Sequence, residues 1–247
     1  MMGLRQLFVV SMKLYVREPM AAFFTLAFPP MLVVLFGAIY GNEPMALLGN
    51  RGSMDVSMPA YTALILATVG LMGIPITASA YRESGVLRRF WAAGVRPATY
   101  ILADVATNLS MTLLGMAILL VAGRLLYHVR FEGRVLDVLL GIVFGGLAMF
   151  ACGYLIAGLA PTARSAQVIS MALFYPMMFL SGAGIPLEVL PASVRTVSNI
   201  LPLTYVVKLL RGLWVGESWS SLGTEVAVLA AVLVAGTVVS ARLFRWE

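Results

Sequence analysis

Few side chains in this sequence have the types and the spacing that catalysis or metal binding requires. A P-loop needs a Lys directly after Gly, and the two lysines, Lys13 and Lys208, follow Met12 and Val207. A single histidine, His128, excludes the H-E-x-x-H zinc motif, and a G-x-S-x-G elbow is also absent. The sequence therefore predicts a non-catalytic chain with no catalytic, metal or cofactor site, which does not hydrolyse ATP by itself.

One polar pair lies within an apolar stretch, where Asp104 and Asn108 are a single helical turn apart. A charge in the middle of a bilayer costs at least about 2.5–3.5 kcal/mol on insertion scales, so intramembrane acids often mark transport sites. Asp104 is close to the start of its stretch, where water or Arg96 can reach it. We favour a structural role for the pair, and a transport role stays open.

The composition places these residues in a membrane protein. Of 247 residues, 61% are hydrophobic and 11% are charged, and the mean hydropathy is +0.95. An average soluble domain carries roughly 25% charged residues. No linker divides the chain, so we expect one domain over residues 1–247. The net charge is +6, and the positively charged residues lie between apolar runs, so membrane topology explains them better than nucleic-acid binding does.

Spanning about 30 Å of hydrocarbon takes about 20 apolar residues in a helix, and six runs meet or approach that length. Lys and Arg are denser in the connections that share a side with the two termini, which predicts that both termini are cytoplasmic. Arg124, Arg130 and Arg134 on the other side count against this orientation. The predicted spans are Met20–Tyr40, Met58–Ala80, Ala98–Gly123, Val138–Ala160, Gln167–Ile185 and Ser221–Ala241.

Two further segments near the predicted cytoplasmic face have amphipathic patterns. Residues 3–18 predict a basic helix lying in the membrane interface, and the alternative is a continuation of the first span. In Tyr81–Pro97, apolar and aromatic residues alternate with arginines at helical spacing. A short helix of this kind fits a groove on a partner protein, although a solvated loop that anchors two spans explains the pattern equally well.

The segment Ile185–Glu217 is too long for an ordinary connection and too apolar for a solvated loop. Pro191 and Pro202 each suit the first turn of a short helix. We therefore predict two short helices that dip into the outer leaflet. The alternative is a seventh span, which Lys208 and Arg211 make costly.

These segments, in this order, resemble the permease subunits of type-2 ABC exporters across essentially the whole chain. The matching features are a basic N-terminal helix, six spans, and an Arg-Glu-x-Gly stretch after the second span. The residues that carry the resemblance are Arg82, Glu83 and Gly85, then FLSGAGIP at Phe179–Pro186, Leu190 with Pro191, LPLTY at Leu201–Tyr205, and Arg211 with Gly212.

The resemblance implies a multi-pass protein of a bacterial-type plasma membrane, in which two permease chains pair and each rests on a separate P-loop ATPase. ATP and Mg²⁺ would be bound by that partner. The coupling helix that docks into the ATPase would include Arg82, Glu83, Gly85, Arg88, Phe90 and Trp91. Re-entrant helices would close the pathway outside, with Gly182, Pro186, Pro191, Pro202 and Tyr205 in the gate.

For the cargo, efflux of a drug or antibiotic is the first expectation, and export of a lipid or a lipid-linked polysaccharide is the second. An apolar lining favours an amphiphilic molecule. Two functions from other classes are less well supported by the sequence. A membrane enzyme acting on lipid needs more clustered polar residues than Asp104 and Asn108, and an ion-coupled secondary transporter predicts midplane carboxylates and an inverted repeat.

Overall fold

The structure is a computed structural model that describes residues 3–45, 50–185, 187 and 190–243. Within these ranges the chain is almost entirely helical, with one two-stranded antiparallel ladder of β1 (Pro44–Met45) and β2 (Arg51–Gly52). The helices are α1 (Leu4–Arg17), α2 (Pro19–Ala22), α3 (Phe28–Tyr40), α4 (Ser53–Ala67), α5 (Ile74–Glu83), α6 (Val86–Ala92), α7 (Pro97–Tyr127), α8 (Val135–Leu159), α9 (Ala163–Leu180), α10 (Ala192–Ser198), α11 (Pro202–Trp214) and α12 (Gly223–Leu243).

Five helical segments in the described part of the chain are long and apolar enough to cross a membrane. They are Phe23–Tyr40, Ser53–Glu83, Ala98–Tyr127, Val135–Leu159 and Gly223–Leu243. The predicted fold class, an all-α integral membrane protein, agrees with this architecture. The predicted fifth span, Gln167–Ile185, corresponds mainly to α9, which has 18 residues but is not among the five because its first turns are polar. The count of six therefore stays a prediction.

Each of the first two spans contains a π-helical turn just before a proline. The turn Phe23–Ala27 joins α2 to α3 ahead of Pro29, and the turn Thr68–Gly73 joins α4 to α5 ahead of Pro75. Proline has no backbone N–H and its ring collides with the carbonyl four residues earlier. The wider π turn relieves that collision, so the chain continues as one helix past each proline.

The carbonyl groups within these π turns make close contacts with glycines of neighbouring helices. A Cβ on Gly115 of α7 would lie 2.3 Å from the Thr25 backbone oxygen, and one on Gly153 of α8 would lie 2.0 Å from the Gly70 oxygen. Glycine is therefore required at both contacts, because any side chain would overlap backbone atoms of the adjacent span. These contacts hold α7 against the first span and α8 against the second.

The main core lies between α4, α8, α11 and α12, and its largest buried side chains include Phe150, Met54 and Met58. Large apolar side chains also cover the outside of the bundle, where Leu125 is 71% exposed and Ile39 is 62% exposed. An apolar exterior of this kind suits lipid contact. A second, smaller core lies at one end of the bundle around Leu7 and Leu87.

Candidate functional site

The small core marks the end of the bundle that carries the predicted coupling segment, which we call the α6 end. Gly85 precedes α6 with φ +72°, a left-handed conformation that glycine adopts without strain, and its carbonyl accepts the Arg89 N–H at 3.2 Å. This turn lets the chain leave α5 and begin α6 at once. The predicted short helix within Tyr81–Pro97 is thus present as Val86–Ala92.

Arg82 and Glu83, both predicted to contact an ATPase, bind the turn between α8 and α9 of their own chain. The Arg82 guanidinium donates to the Ala157 carbonyl oxygen at 3.0 Å and also to the Ala160 carbonyl oxygen, which lie in the last turn of α8 and its C-terminal cap. Glu83 Oε2 accepts the backbone N–H of Ala163, the first residue of α9, at 3.0 Å. A cation at a helix C-terminus and an anion at a helix N-terminus are both favourable.

The remaining predicted coupling residues divide between the two faces of α6. Phe90 is half-buried, and its ring centroid lies 5.9 Å from that of Tyr100 on α7. It packs on the small core, whose fully buried members include Leu7 of α1 and Leu87 of α6 itself. In contrast, Trp91 is 66% exposed and Arg88 is exposed beside it. The structure therefore places Phe90 in an anchoring position and leaves Trp91 and Arg88 available to a partner.

The N-terminal helix supports this arrangement from the other side. In α1, Leu7 is buried in the small core, and the hydroxyl groups of Tyr15 and Thr25 are hydrogen-bonded at 2.7 Å. Burial raises the pKa of the Tyr15 hydroxyl above its usual value of 10.0. Leu4 and Leu14 of the same helix stay 48% and 46% exposed. They can contact lipid, and the interfacial position of α1 stays a prediction.

The polar pair predicted in the third span joins α7 to α8. Asp104 accepts a hydrogen bond from the Tyr154 hydroxyl of α8 at 2.5 Å. Asn108 is buried and donates from Nδ2 to the Asp104 backbone oxygen at 2.9 Å. Tyr154 lies close to the end of α8 that Arg82 binds, so this bond ties the helices together near the α6 end. The structural role that we favoured for Asp104 and Asn108 stays a prediction.

The predicted gate residues lie in and around α10 and α11. Gly182 follows α9 with φ +88°, Pro191 precedes α10 as its N-terminal cap, and Pro202 is the first residue of α11. The Tyr205 hydroxyl donates to the Asn199 backbone oxygen at 2.7 Å. Both short helices were predicted at these prolines. Pro186, the fifth predicted gate residue, lies outside the described residues.

Helix α11 runs antiparallel to α8 and is almost entirely enclosed. A Cβ on Gly141 would lie 2.6 Å from the Leu213 side chain, and one on Gly145 would lie 3.1 Å from the Val206 side chain, which fixes the direction and depth of α11 beside α8. Its C-terminal Trp214 donates from Nε1 to the Arg130 backbone oxygen at 3.1 Å, in the connection between α7 and α8. The α11 C-terminus therefore lies at the end of the bundle opposite to α6, and its N-terminus lies inside the bundle.

One polar cluster at this opposite end has no counterpart among the sequence-based predictions. Asn42 donates from Nδ2 to Asp55 Oδ1 and to the Tyr127 backbone oxygen, both at 3.1 Å, and its Oδ1 accepts the Met54 N–H at 3.0 Å. Asp55 Oδ1 also accepts the Arg130 N–H at 2.9 Å. The cluster joins the ends of three spans. The only local signal was an Asn after Gly41 at the end of an apolar run, which is too common to identify a tertiary contact.

Comparison with known proteins places this architecture in a family. The model of the family described as "ABC-2 type transporter" matches residues 3–214, from the start of α1 through the whole of α11. The chain belongs to the ABC-2 type transporter family. It is a transport permease, so its polar clusters at the two ends are to be understood as parts of a transporter.

The individual relatives are distant. Nodulation protein J of Rhizobium leguminosarum bv. trifolii is 27% identical over 221 residues, which cover 87% of this chain and 82% of that protein. Nodulation protein J of Rhizobium leguminosarum bv. viciae is 31% identical over 104 residues, 42% of this chain and 40% of the relative. ABC transporter G family member 20 of Dictyostelium discoideum is 24% identical over 173 residues, 70% of this chain but 23% of the relative. The permease thus spans well under half the length of the last two.

Proposed function

We propose that this permease is the membrane subunit of an ATP-driven exporter and that α6 docks onto a separate P-loop ATPase. The observation that carries the proposal is the two-sided environment of α6. One side is fixed by Leu87 and Phe90 in the small core, while Trp91 and Arg88 project from the other side. An exposed Trp flanked by Arg is the composition typical of a protein–protein hot spot.

The contacts of Arg82 and Glu83 give α6 a route to the membrane helices. These two residues end α5 and bind the turn between α8 and α9, so α5, α8 and α9 share one junction beside α6. A displacement of α6 by the ATPase is then passed to three helices together rather than absorbed in a loop. This supports a mechanism in which ATP-driven closure of two ATPase subunits moves the spans between inward-open and outward-open states.

The proposal includes a topology and an assembly. In it, α9 is the fifth of six spans along the chain, the α6 end and both termini are cytoplasmic, and a second permease copy completes the pathway in a bacterial-type plasma membrane. Exposed Arg88, Arg89 and Arg96 at the α6 end support this orientation, since cytoplasmic connections carry an excess of Lys and Arg. In this orientation α10 and α11 enter from the outer side and form the gate.

The proposed cargo is an amphiphile, a drug or antibiotic or a lipid-like molecule. Support comes from the mixed surface near α11, where apolar Ile200 is 79% exposed beside the polar side chains of Asn199 and Tyr205. A lipid-linked polysaccharide is the other cargo to test. Either class presents an apolar tail to the bundle and a polar group to the gate.

Affinity purification of the tagged permease from detergent-solubilised membranes tests the central claim. We expect a P-loop ATPase at equal stoichiometry, identified by mass spectrometry. Trp91→Ala should reduce its recovery at least tenfold, because truncating a hot-spot residue costs about 2 kcal/mol or more. Ile200→Ala, which truncates another exposed apolar side chain away from α6, should leave recovery unchanged.

Two outcomes would contradict the proposal. Full recovery of the ATPase with Trp91→Ala would remove α6 from the docking surface. A permease that purifies alone and transports in vesicles without any ATPase would instead be an ion-coupled secondary transporter, and its uptake would then follow an imposed ion gradient.

A further inference from the structure

A lysine lies on the exposed stripe of α11, well below the end of the bundle at which that helix finishes. Every other side of this helix is buried, and Tyr205 and Lys208 are among the few side chains that stay partly exposed. The contacts of Val206 with Gly145 and of Leu210 with Gly141 put Lys208 between those two levels of α8. At 1.5 Å per residue this is roughly 12 Å below the outer end of α8 at Val135, within the hydrocarbon layer of a membrane about 30 Å thick.

The ammonium group of Lys208 is directed toward the middle of the membrane rather than toward the nearer membrane surface. Its Nζ donates to Asn199 Oδ1 at 2.9 Å, and Asn199 precedes α11 at the deep end of that helix. Lysines near membrane surfaces normally extend their side chains toward water. Because helical side chains point toward the N-terminus, the direction of α11 prevents Lys208 from doing so. The fold thus holds the charge at the depth of the α11 N-terminus, on a side of the bundle that this structure leaves exposed.

The partners of this charge in the described part of the chain are neutral. Lys208 Nζ contacts the Asn199 amide oxygen and lies 5.5 Å from the centre of the Tyr205 ring. Neither of the ion pairs among those residues, Arg51 with Glu132 and Arg134 with Asp137, includes Lys208. A charge at this depth requires compensation, and a ligand of opposite sign supplies it. The remaining ammonium hydrogens and the Asn199 amide can both donate to an anion.

We propose that Lys208, Asn199 and Tyr205 bind the anionic headgroup of an amphiphile, a phosphate or a carboxylate on an apolar tail. This inference rests on the proposed exporter function only where it takes the anion to be cargo. In a symmetric pair of permeases each Lys208 would have a counterpart related by the twofold axis. If the two stripes face each other across the pathway, an anion between them relieves their repulsion. Exposed Ile200 beside the site provides contact for the tail.

Binding to the purified permease in neutral detergent tests the proposal without any ATPase. The probes are dodecyl phosphate and dodecyl phosphocholine, which share a tail but differ in net charge, and affinity is measured by isothermal titration calorimetry. We expect the wild-type protein to bind dodecyl phosphate at least tenfold more tightly than dodecyl phosphocholine. Lys208→Met should bring the two affinities within twofold, and Lys208→Arg should keep the preference.

Arg134→Gln is the matched control, because it removes one positive charge from a side chain that is 89% exposed at the outer end. It should keep the tenfold preference. Equal affinities in the wild-type protein, or an undiminished preference in Lys208→Met, would overturn the proposal. If Lys208→Met does not purify as a single species, the wild-type comparison together with Lys208→Gln decides the question.

Two further arms identify the source of the anion. If the headgroup belongs to a resident lipid, phospholipid analysis by mass spectrometry will find an anionic lipid in wild-type preparations and not in Lys208→Met. If it belongs to cargo, dodecyl phosphate will stimulate ATP hydrolysis by the reconstituted complex. Failure of the exporter proposal would appear as loss of the ATPase on purification, with the anion preference intact. Failure of this inference would appear as normal co-purification of the ATPase without any preference for dodecyl phosphate.

Discussion

Arg82→Ala separates two roles that this arginine could have, one within its own chain and one toward the ATPase. In the structure its guanidinium donates to the carbonyl oxygens of Ala157 and Ala160, in the last turn of α8 and at its C-terminal cap. Hydrogen bonds from a charged donor contribute about 1.5–3 kcal/mol each. Arg82 is only half-buried, so water replaces part of this contribution, and we expect a total loss of about 2–3 kcal/mol.

For a protein of this size that loss corresponds to a decrease in Tm of roughly 5–10 °C, measured by the thermal unfolding of purified protein in detergent. Arg82→Lys should give an intermediate decrease, because an ammonium group cannot bind two carbonyls in the forked geometry of a guanidinium. Glu83→Gln should change Tm little, since an amide oxygen still accepts the Ala163 N–H. The assignment fails if Arg82→Ala unfolds at the wild-type temperature but no longer recovers the ATPase, because Arg82 would then act on the partner.

Three other changes test the bundle and its orientation. Asp104→Asn keeps an acceptor for the Tyr154 hydroxyl, so it should lower the free energy of unfolding by less than about 1 kcal/mol and retain transport. Tyr154→Phe removes the donor and should lower that free energy by about 1–3 kcal/mol, measured by thermal unfolding. Abolished transport in a folded Asp104→Asn protein would make Asp104 a transport residue. Gly153→Ala should destabilise by at least about 1–3 kcal/mol through backbone overlap, and Gly223→Ala, with no atom near its Cβ, should be neutral. Arg195→Cys, in a background without the native cysteine, should react with impermeant maleimide from outside the cell only, and labelling from the cytoplasm would reverse the topology.

The features that the sequence predicted best are those set by local chemistry. Composition was sufficient for the membrane class, and Pro191 and Pro202 located α10 and α11 because proline favours the first turn of a helix. The short helix α6 was predicted from its alternation of apolar and basic residues. These signals depend on neighbours within a few positions, so one sequence is enough to detect them.

The features that the sequence did not predict depend on contacts between distant residues. Nothing local distinguishes Phe90 from Trp91, yet one packs on Tyr100 and the other projects outward. Arg82 has the same chemistry whether its acceptors belong to α8 or to a partner. Asn42 was missed because its four hydrogen bonds join segments up to 85 positions apart. In each case the side chain is informative only once its three-dimensional neighbours are known.

The two π turns have a mechanical consequence. At the Thr25 oxygen with Gly115 and at the Gly70 oxygen with Gly153, neighbouring helices touch through backbone atoms. Because the two helix axes are held close together at such a contact, we expect one span to tilt against its neighbour about that point. Tilting about a fixed point moves the two ends of a helix in opposite directions. One pair of spin labels, on α4 and α8, lies on one side of the Gly70 contact, and a second pair, on α5 and α8, lies on the other side. The two pairs should therefore report distance changes of opposite sign during transport.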